Sequence, residues 1–113
     1  FLSQAKLLDV MQNLEFIPVA YCPICRGDVV KDKVIIGLAE KYNKTPAQVS
    51  LRWLIQQQSV AIPKTAKLER LKENIDVYDF IIDQSDMDKM YSLARNQRLV
   101  PNLESNELNY PWD

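Results

Sequence analysis

The chain has 113 residues, 47% of them apolar, and a net charge of −1. That length fits a single domain at most, and that composition supplies material for a core. The near-zero charge without a long basic tract excludes a general nucleic-acid binder. No apolar run is long enough to span a membrane as a helix, and no secretory signal is visible.

Ser3 is placed to cap a helix over residues 4–14, with Leu7, Leu8, Met11 and Leu14 on one stripe. Residues 16–21 (FIPVAY) read as a strand, irregular where Pro18 withholds a backbone donor. Residues 22–28 form a loop, and a helix follows over 32–42 with Val34, Ile35, Leu38, Ala39 and Tyr42 on one side. Thr45-Pro46-Ala47-Gln48 has the makings of a capping box with proline in the first turn. It predicts a helix to about Gln57 that buries Val49, Trp53 and Leu54.

Val60, Ala61 and Ile62 form a continuous apolar run, as a parallel strand does when both its faces are covered. Pro63 ends it. A helix over 67–75, a loop through Tyr78 and Phe80, and an Asp83-capped helix over 84–94 come next. From Gln97 to Trp112 the sequence loses helical periodicity and reads as a polar coil.

Strands separated by helical crossovers imply a parallel sheet. Two strands alone leave both edges unpaired and cover neither face. The pattern is that of one sector of a larger α/β fold. A start at Phe1 rather than Met fits a chain processed, trimmed or cut from something longer.

Lys64, Lys67 and Arg70 crowd the start of the 67–75 helix, where free backbone N–H groups and the dipole favour an anion. Glu73 and Asn74 add a hydrogen-bonding face one turn on. The same residues also fit a solvated helix of mixed charge. Tyr21 closes the first strand, where it either stacks on a planar ligand or plugs the strand end; the plug is the simpler reading.

Cys22-Pro23-Ile24-Cys25 has redox spacing, but Arg26-Gly27-Asp28 and two valines delay the helix that would stabilise a thiolate. It lacks a second Cys or His pair for zinc. Two cysteines with no disulfide framework fit a reducing cytoplasm. The chain contains no histidine, which removes His-based triads and relays from this segment. Asp28, Asp32, Glu40, Asp76, Asp79 and Asp83 form no acid/base pair by spacing and read as caps or surface charges.

VAYCPICRG, TPAQVSLRWLIQQ, VAIPKT…ERLKEN, DF…DMDKM…L and the final PWD, in this order and spacing, resemble the C-terminal part of an aldo-keto reductase. The bacterial type related to 2,5-diketo-gluconate reductases is the nearest in flavour. The resemblance implies the last two strands and helices of a (β/α)8 TIM barrel over residues 1–96 and a C-terminal tail over 97–113. It implies an NADPH-dependent reduction of aldehydes or ketones, without metal. Tyr21 would then stack on the nicotinamide, and Cys22, Ile24 and Arg26 would lie along the pyrophosphate. Lys64, Thr65 and Arg70 would bind the adenosine 2′-phosphate, and Glu73 and Asn74 the adenine.

In that family the catalytic tyrosine, lysine, aspartate and histidine belong to the earlier part of the barrel. The expectation is therefore a segment with the cofactor's adenosine side and no catalytic residue, inactive alone and prone to self-association through open strand edges. A carbonyl compound is the implied substrate of the parent. A non-enzymatic helical assembly module derived from such a fragment, or a CxxC thiol oxidoreductase, are the other readings.

Overall fold

A computed structural model describes residues 3–95. The expected coil from Gln97 to Trp112 lies outside the described residues. In chain order the elements are α1 (Ala5–Asn13), β1 (Val19–Tyr21), a short 3-10 segment (Cys25–Lys31), α2 (Lys33–Tyr42), α3 (Pro46–Gln56), β2 (Val60–Ile62), α4 (Leu68–Ile75) and α5 (Gln84–Tyr91). The two strands pair in parallel, with Val19 opposite Val60 and Tyr21 opposite Ile62.

Local chemistry accounts for most of the boundaries. Asp32 caps α2 by accepting from the Val34 and Ile35 amides at 3.0 and 3.3 Å. Asn43 ends that helix in the left-handed region, with φ 52°. Thr45 and Gln48 close the expected capping box at the start of α3. Asp83 caps α5 through the Asp86 amide at 3.0 Å. That helix stops at Tyr91, short of residue 94, because Leu93 and Ala94 bond back only three residues, to Met90 and Tyr91.

Two expectations at the N-terminal end are corrected. Ser3 does not cap α1: Gln4 occupies the cap with φ 53°, and no side chain bonds the free amides. The strand expected from residue 16 begins only at Val19. Pro18 has no N–H, and only its carbonyl joins the partner strand, accepting from the Val60 amide at 2.8 Å.

The core lies among the helices. Ile35, Leu38 and Ala39 of α2 meet Val49 of α3, Met87 and Met90 of α5, and Val29 and Ile82 from the connecting segments. Val49 is fully buried, a burial that stabilises by about 1.5–3 kcal/mol relative to an exposed side chain. The Gln56 amide fixes the Ile82 backbone from both sides, accepting from its N–H at 2.8 Å and donating to its carbonyl at 2.9 Å.

A charged network joins α5 to α2. The fully buried Asp86 accepts from Lys41, from Lys89 at 2.6 Å and from the Tyr42 hydroxyl at 2.8 Å. Lys41 also bonds Asp83 at 2.7 Å. Lys44 ties down the loop after α4 through Asp76 (3.1 Å) and Asp79 (2.8 Å). Asp32 and Asp83 are thus caps as read, while Asp76 and Asp79 are ion-pair partners.

The sheet departs from its expected environment. Val60 and Ile62 are 48% and 52% exposed, and Val19 and Tyr21 beside them are each 58% exposed. Only the Ala20–Ala61 side is half covered. The apolar run that reads as doubly buried is covered on one face here.

Candidate functional site

The parallel register places the C-terminal ends of β1 and β2 side by side, since Tyr21 pairs with Ile62. The segments that follow, from Cys22 and from Pro63, therefore leave from the same edge of the sheet. In parallel α/β folds that edge is where loops gather ligands. Tyr21 stands exposed at the end of β1.

The first of these segments folds back at once. The Cys25 amide donates to the Cys22 carbonyl at 2.9 Å, enclosing Pro23 and Ile24 in a turn. The Gly27 amide donates to the Ile24 carbonyl at 2.8 Å. Cys22, Cys25 and Arg26 all take positive φ (50°, 48° and 52°), and Gly27 reaches 95°. This backbone breaks the short 3-10 segment and carries Arg26 to the surface. Residues 22–28, read as a loop, are thus a turn leading into a kinked helical segment.

The second segment is the strongly basic one. The Thr65 hydroxyl accepts from the Lys67 amide at 3.1 Å, which sets the turn into α4. Lys67 is the cap residue, and no side chain caps the helix. Lys64, Lys67 and Arg70 are exposed, and none takes part in an ion pair among the described residues. Glu69 is the acidic residue in that first turn. Three cations without a carboxylate partner leave their charge available to an external anion.

Glu73 and Asn74 are half-buried near the end of α4. The Glu73 carboxylate accepts a short hydrogen bond from the Thr45 hydroxyl through Oε1. Thr45 and Gln48 were legible only as a helix start, since their contacts to α4 span 25 to 28 residues of sequence. Tyr21, Cys22, Ile24 and Arg26 share one segment; Lys64 and Thr65 lie on the next; Arg70, Glu73 and Asn74 lie on α4.

Behind the first cysteine stand a turn and a kinked 3-10 segment in place of an α-helix start, so no α-helix N-terminus faces the Cys22 thiol. Burial pushes the Cys25 thiol up from its ordinary value. Both cysteines are free. No cluster of three or more His, Cys, Asp or Glu able to hold a metal occurs among the described residues. No helix among them is long and apolar enough to cross a membrane. An apolar hollow of about 420 Å³ lies beside α1, bordered by Leu7, Met11, Trp53 and Leu93. Lys64, Thr65 and Arg70 do not line it.

The Aldo/keto reductase family's sequence model matches residues 2–95. The chain belongs to the aldo/keto reductase family. It is 40% identical to a glyoxal reductase of Bacillus subtilis over 101 residues, 89% of this chain and 37% of that protein. A Gox0644 variant in complex with NADPH superposes with a TM-score of 0.80 at 34% identity, covering 83% of this chain and 35% of that one. A structure assigned to a 2,5-diketo-D-gluconic acid reductase B gives a TM-score of 0.84 at 33% identity, over 90% of this chain and 37% of that one. The aldo/keto reductase chain thus spans about a third of the length of these relatives. Its two parallel strands and their helices form a segment of the family's (β/α)8 barrel.

Proposed function

We propose that this segment holds the adenosine side of NADPH in an oxidoreductase that reduces aldehydes or ketones to alcohols. The observation that carries the reading is the group of exposed cations at the start of α4, Lys64, Lys67 and Arg70, none of them ion-paired among the described residues. They lie on the segment that leaves β2 at Ile62, the residue paired with Tyr21. Family membership and the NADPH complex of the Gox0644 variant support a nicotinamide cofactor.

Lys64, Thr65 and Arg70 take the 2′-phosphate in this reading, with charge-assisted hydrogen bonds supplying the preference for a phosphorylated ribose. Tyr21 offers an aromatic face to the nicotinamide, and Cys22, Ile24 and Arg26 border the pyrophosphate. Glu73 and Asn74 receive the adenine. When bound, the cofactor supplies the hydride. This chain's own residues bind and orient it. Proton donation to the carbonyl oxygen falls to residues of the family's barrel outside this segment, so residues 1–113 act as a partial domain.

Titration of the chain with adenosine 2′,5′-bisphosphate tests the reading. Saturable binding that weakens at least ten-fold in Arg70→Ala is expected, since a direct charged contact contributes about 1.5–3 kcal/mol. Binding unchanged by Arg70→Ala would refute the assignment.

The exposed apolar face formed by Val19, Tyr21, Val60 and Ile62 favours a second reading, a non-enzymatic assembly module. That reading predicts a stable oligomer with no nucleotide affinity.

A further inference from the structure

Helix α4 carries Arg70, Glu73 and Asn74, yet it buries none of its own residues. Leu68, Leu71 and Ile75 are all more than half exposed. What holds its C-terminal end is polar and comes from the first turn of α3. The Gln48 side-chain amide donates to the Glu73 carbonyl at 3.1 Å, to the Asp76 carbonyl at 2.9 Å and to the Asp76 carboxylate at 3.3 Å. Asp76 is the cap residue of α4, and the Glu73 carbonyl also accepts from the Asp76 amide at 3.2 Å, so Gln48 bonds the helix end where its last turn closes.

The same two side chains close the capping box of α3. The Gln48 amide N–H donates to the Thr45 hydroxyl at 3.2 Å, and the Thr45 N–H donates to the Gln48 side-chain oxygen at 2.9 Å. Gln48 is buried, and both ends of its side chain are engaged. The Thr45 hydroxyl, while accepting from Gln48, spends its single proton on Glu73.

We propose that Thr45 and Gln48 are positioning residues for the adenosine site. The capping box of α3 doubles as the clamp on the end of α4, and Thr45 holds the Glu73 carboxylate so that its second oxygen is left for the exocyclic amine of adenine. The proposal rests on the nucleotide reading above and extends it to base recognition. A glutamate free to sample its rotamers would lose that freedom on binding; one already held by Thr45 loses less, and the difference appears as affinity. The contact also discriminates between bases. Adenine presents an amine to the carboxylate, whereas hypoxanthine presents a carbonyl oxygen at the same position, which a carboxylate cannot bond.

The test compares adenosine 2′,5′-bisphosphate with inosine 2′,5′-bisphosphate on the full chain. Thr45→Gly and Thr45→Asp both satisfy a helix start about as well as threonine. Neither side chain can donate to Glu73. Thr45→Asn keeps a cap and regains a donor. Both ligands carry the same phosphates, so the ratio of their affinities cancels any effect of position 45 on phosphate binding. Thr45→Gly, which introduces no charge beside Glu73, isolates the loss of the donor.

The expected result is an adenosine affinity about five-fold lower in Thr45→Gly and Thr45→Asp, with inosine affinity unchanged and the preference restored in Thr45→Asn. Equal loss for both ligands, or an unaltered ratio, overturns the positioning role and leaves the nucleotide site intact. Unfolding of all three variants, read by far-UV circular dichroism, also overturns it, because Thr45 would then serve folding alone. Failure of the unsubstituted chain to bind either ligand overturns the nucleotide reading, and this proposal with it.

Discussion

Asp86→Ala is predicted to destabilise the chain by about 2 kcal/mol, and the structure says where that figure comes from. Asp86 is fully buried and accepts from three side chains, those of Lys41, Tyr42 and Lys89. Loss of the Tyr42 bond costs about 1–1.5 kcal/mol, because that hydroxyl is half-buried and left without its acceptor. Loss of a negative charge in the first turn of α5 adds about 0.3–1 kcal/mol. The two lysines are about half exposed, so water replaces much of what they lose. Asp86→Asn, which keeps one acceptor oxygen, should lose about half as much.

Urea unfolding followed by far-UV circular dichroism reads the effect directly. With a slope of about 1–2 kcal/mol per molar, Asp86→Ala moves the midpoint down by about 1–2 M. A shift below about 0.3 M would refute the reasoning, because it would mean that the buried carboxylate does not hold α5 to α2.

The same network sets the pH dependence. The Lys41 ammonium holds Asp83 and Asp86 below the ordinary carboxylate value of 3.8. Their contribution is therefore complete above that value and is lost as pH falls through their lower folded values. Asp83 chiefly, with Asp86, raises Lys41 above its ordinary 10.5, so its contribution is complete below 10.5 and is lost only as pH rises beyond that. Urea midpoints should stay level from 3.8 up to 9.0, the ordinary thiol value above which the unfolded chain ionises Cys25 while burial keeps the folded thiol protonated. They should drop on the acid side, with the acid drop reduced in Lys41→Met; an unreduced drop would assign it to other groups. Sedimentation velocity should show concentration-dependent association through the exposed sheet face, weakened by Ile62→Lys. A monodisperse monomer at every concentration would count against that. A homogeneous sample of the chain should show no carbonyl-dependent NADPH oxidation, and measurable turnover would contradict the assignment of proton donation to residues outside the segment.

How much of this was readable beforehand follows the range of the interactions. Thr45, Pro46 and Gln48 announce a helix start because a capping box spans four residues. Val60–Ile62 announces a strand through its composition, and its bounds are those expected. The burial of that strand was not readable, because it depends on which elements cover the sheet, and one face is open here. Ser3 had the chemistry of a cap, but α1 buries no residue, and its cap position falls on Gln4. Asp86 gave no sign of being a buried hub, since Lys41 and Tyr42 lie 45 and 44 residues away in sequence. For the candidate site, the cations of α4 stood out as a cluster because they lie within seven residues. The clamp from Thr45 and Gln48 depends on how α3 packs against α4, which no local pattern encodes.

The most direct measurement is a side-by-side titration of the unsubstituted chain with adenosine 2′,5′-bisphosphate and adenosine 5′-monophosphate at fixed ionic strength. If Lys64, Thr65 and Arg70 hold the 2′-phosphate, the bisphosphate binds at least ten-fold more tightly, as one direct charge-assisted contact requires. Equal affinity for the two nucleotides would contradict the assignment of this segment to the adenosine 2′-phosphate end of NADPH.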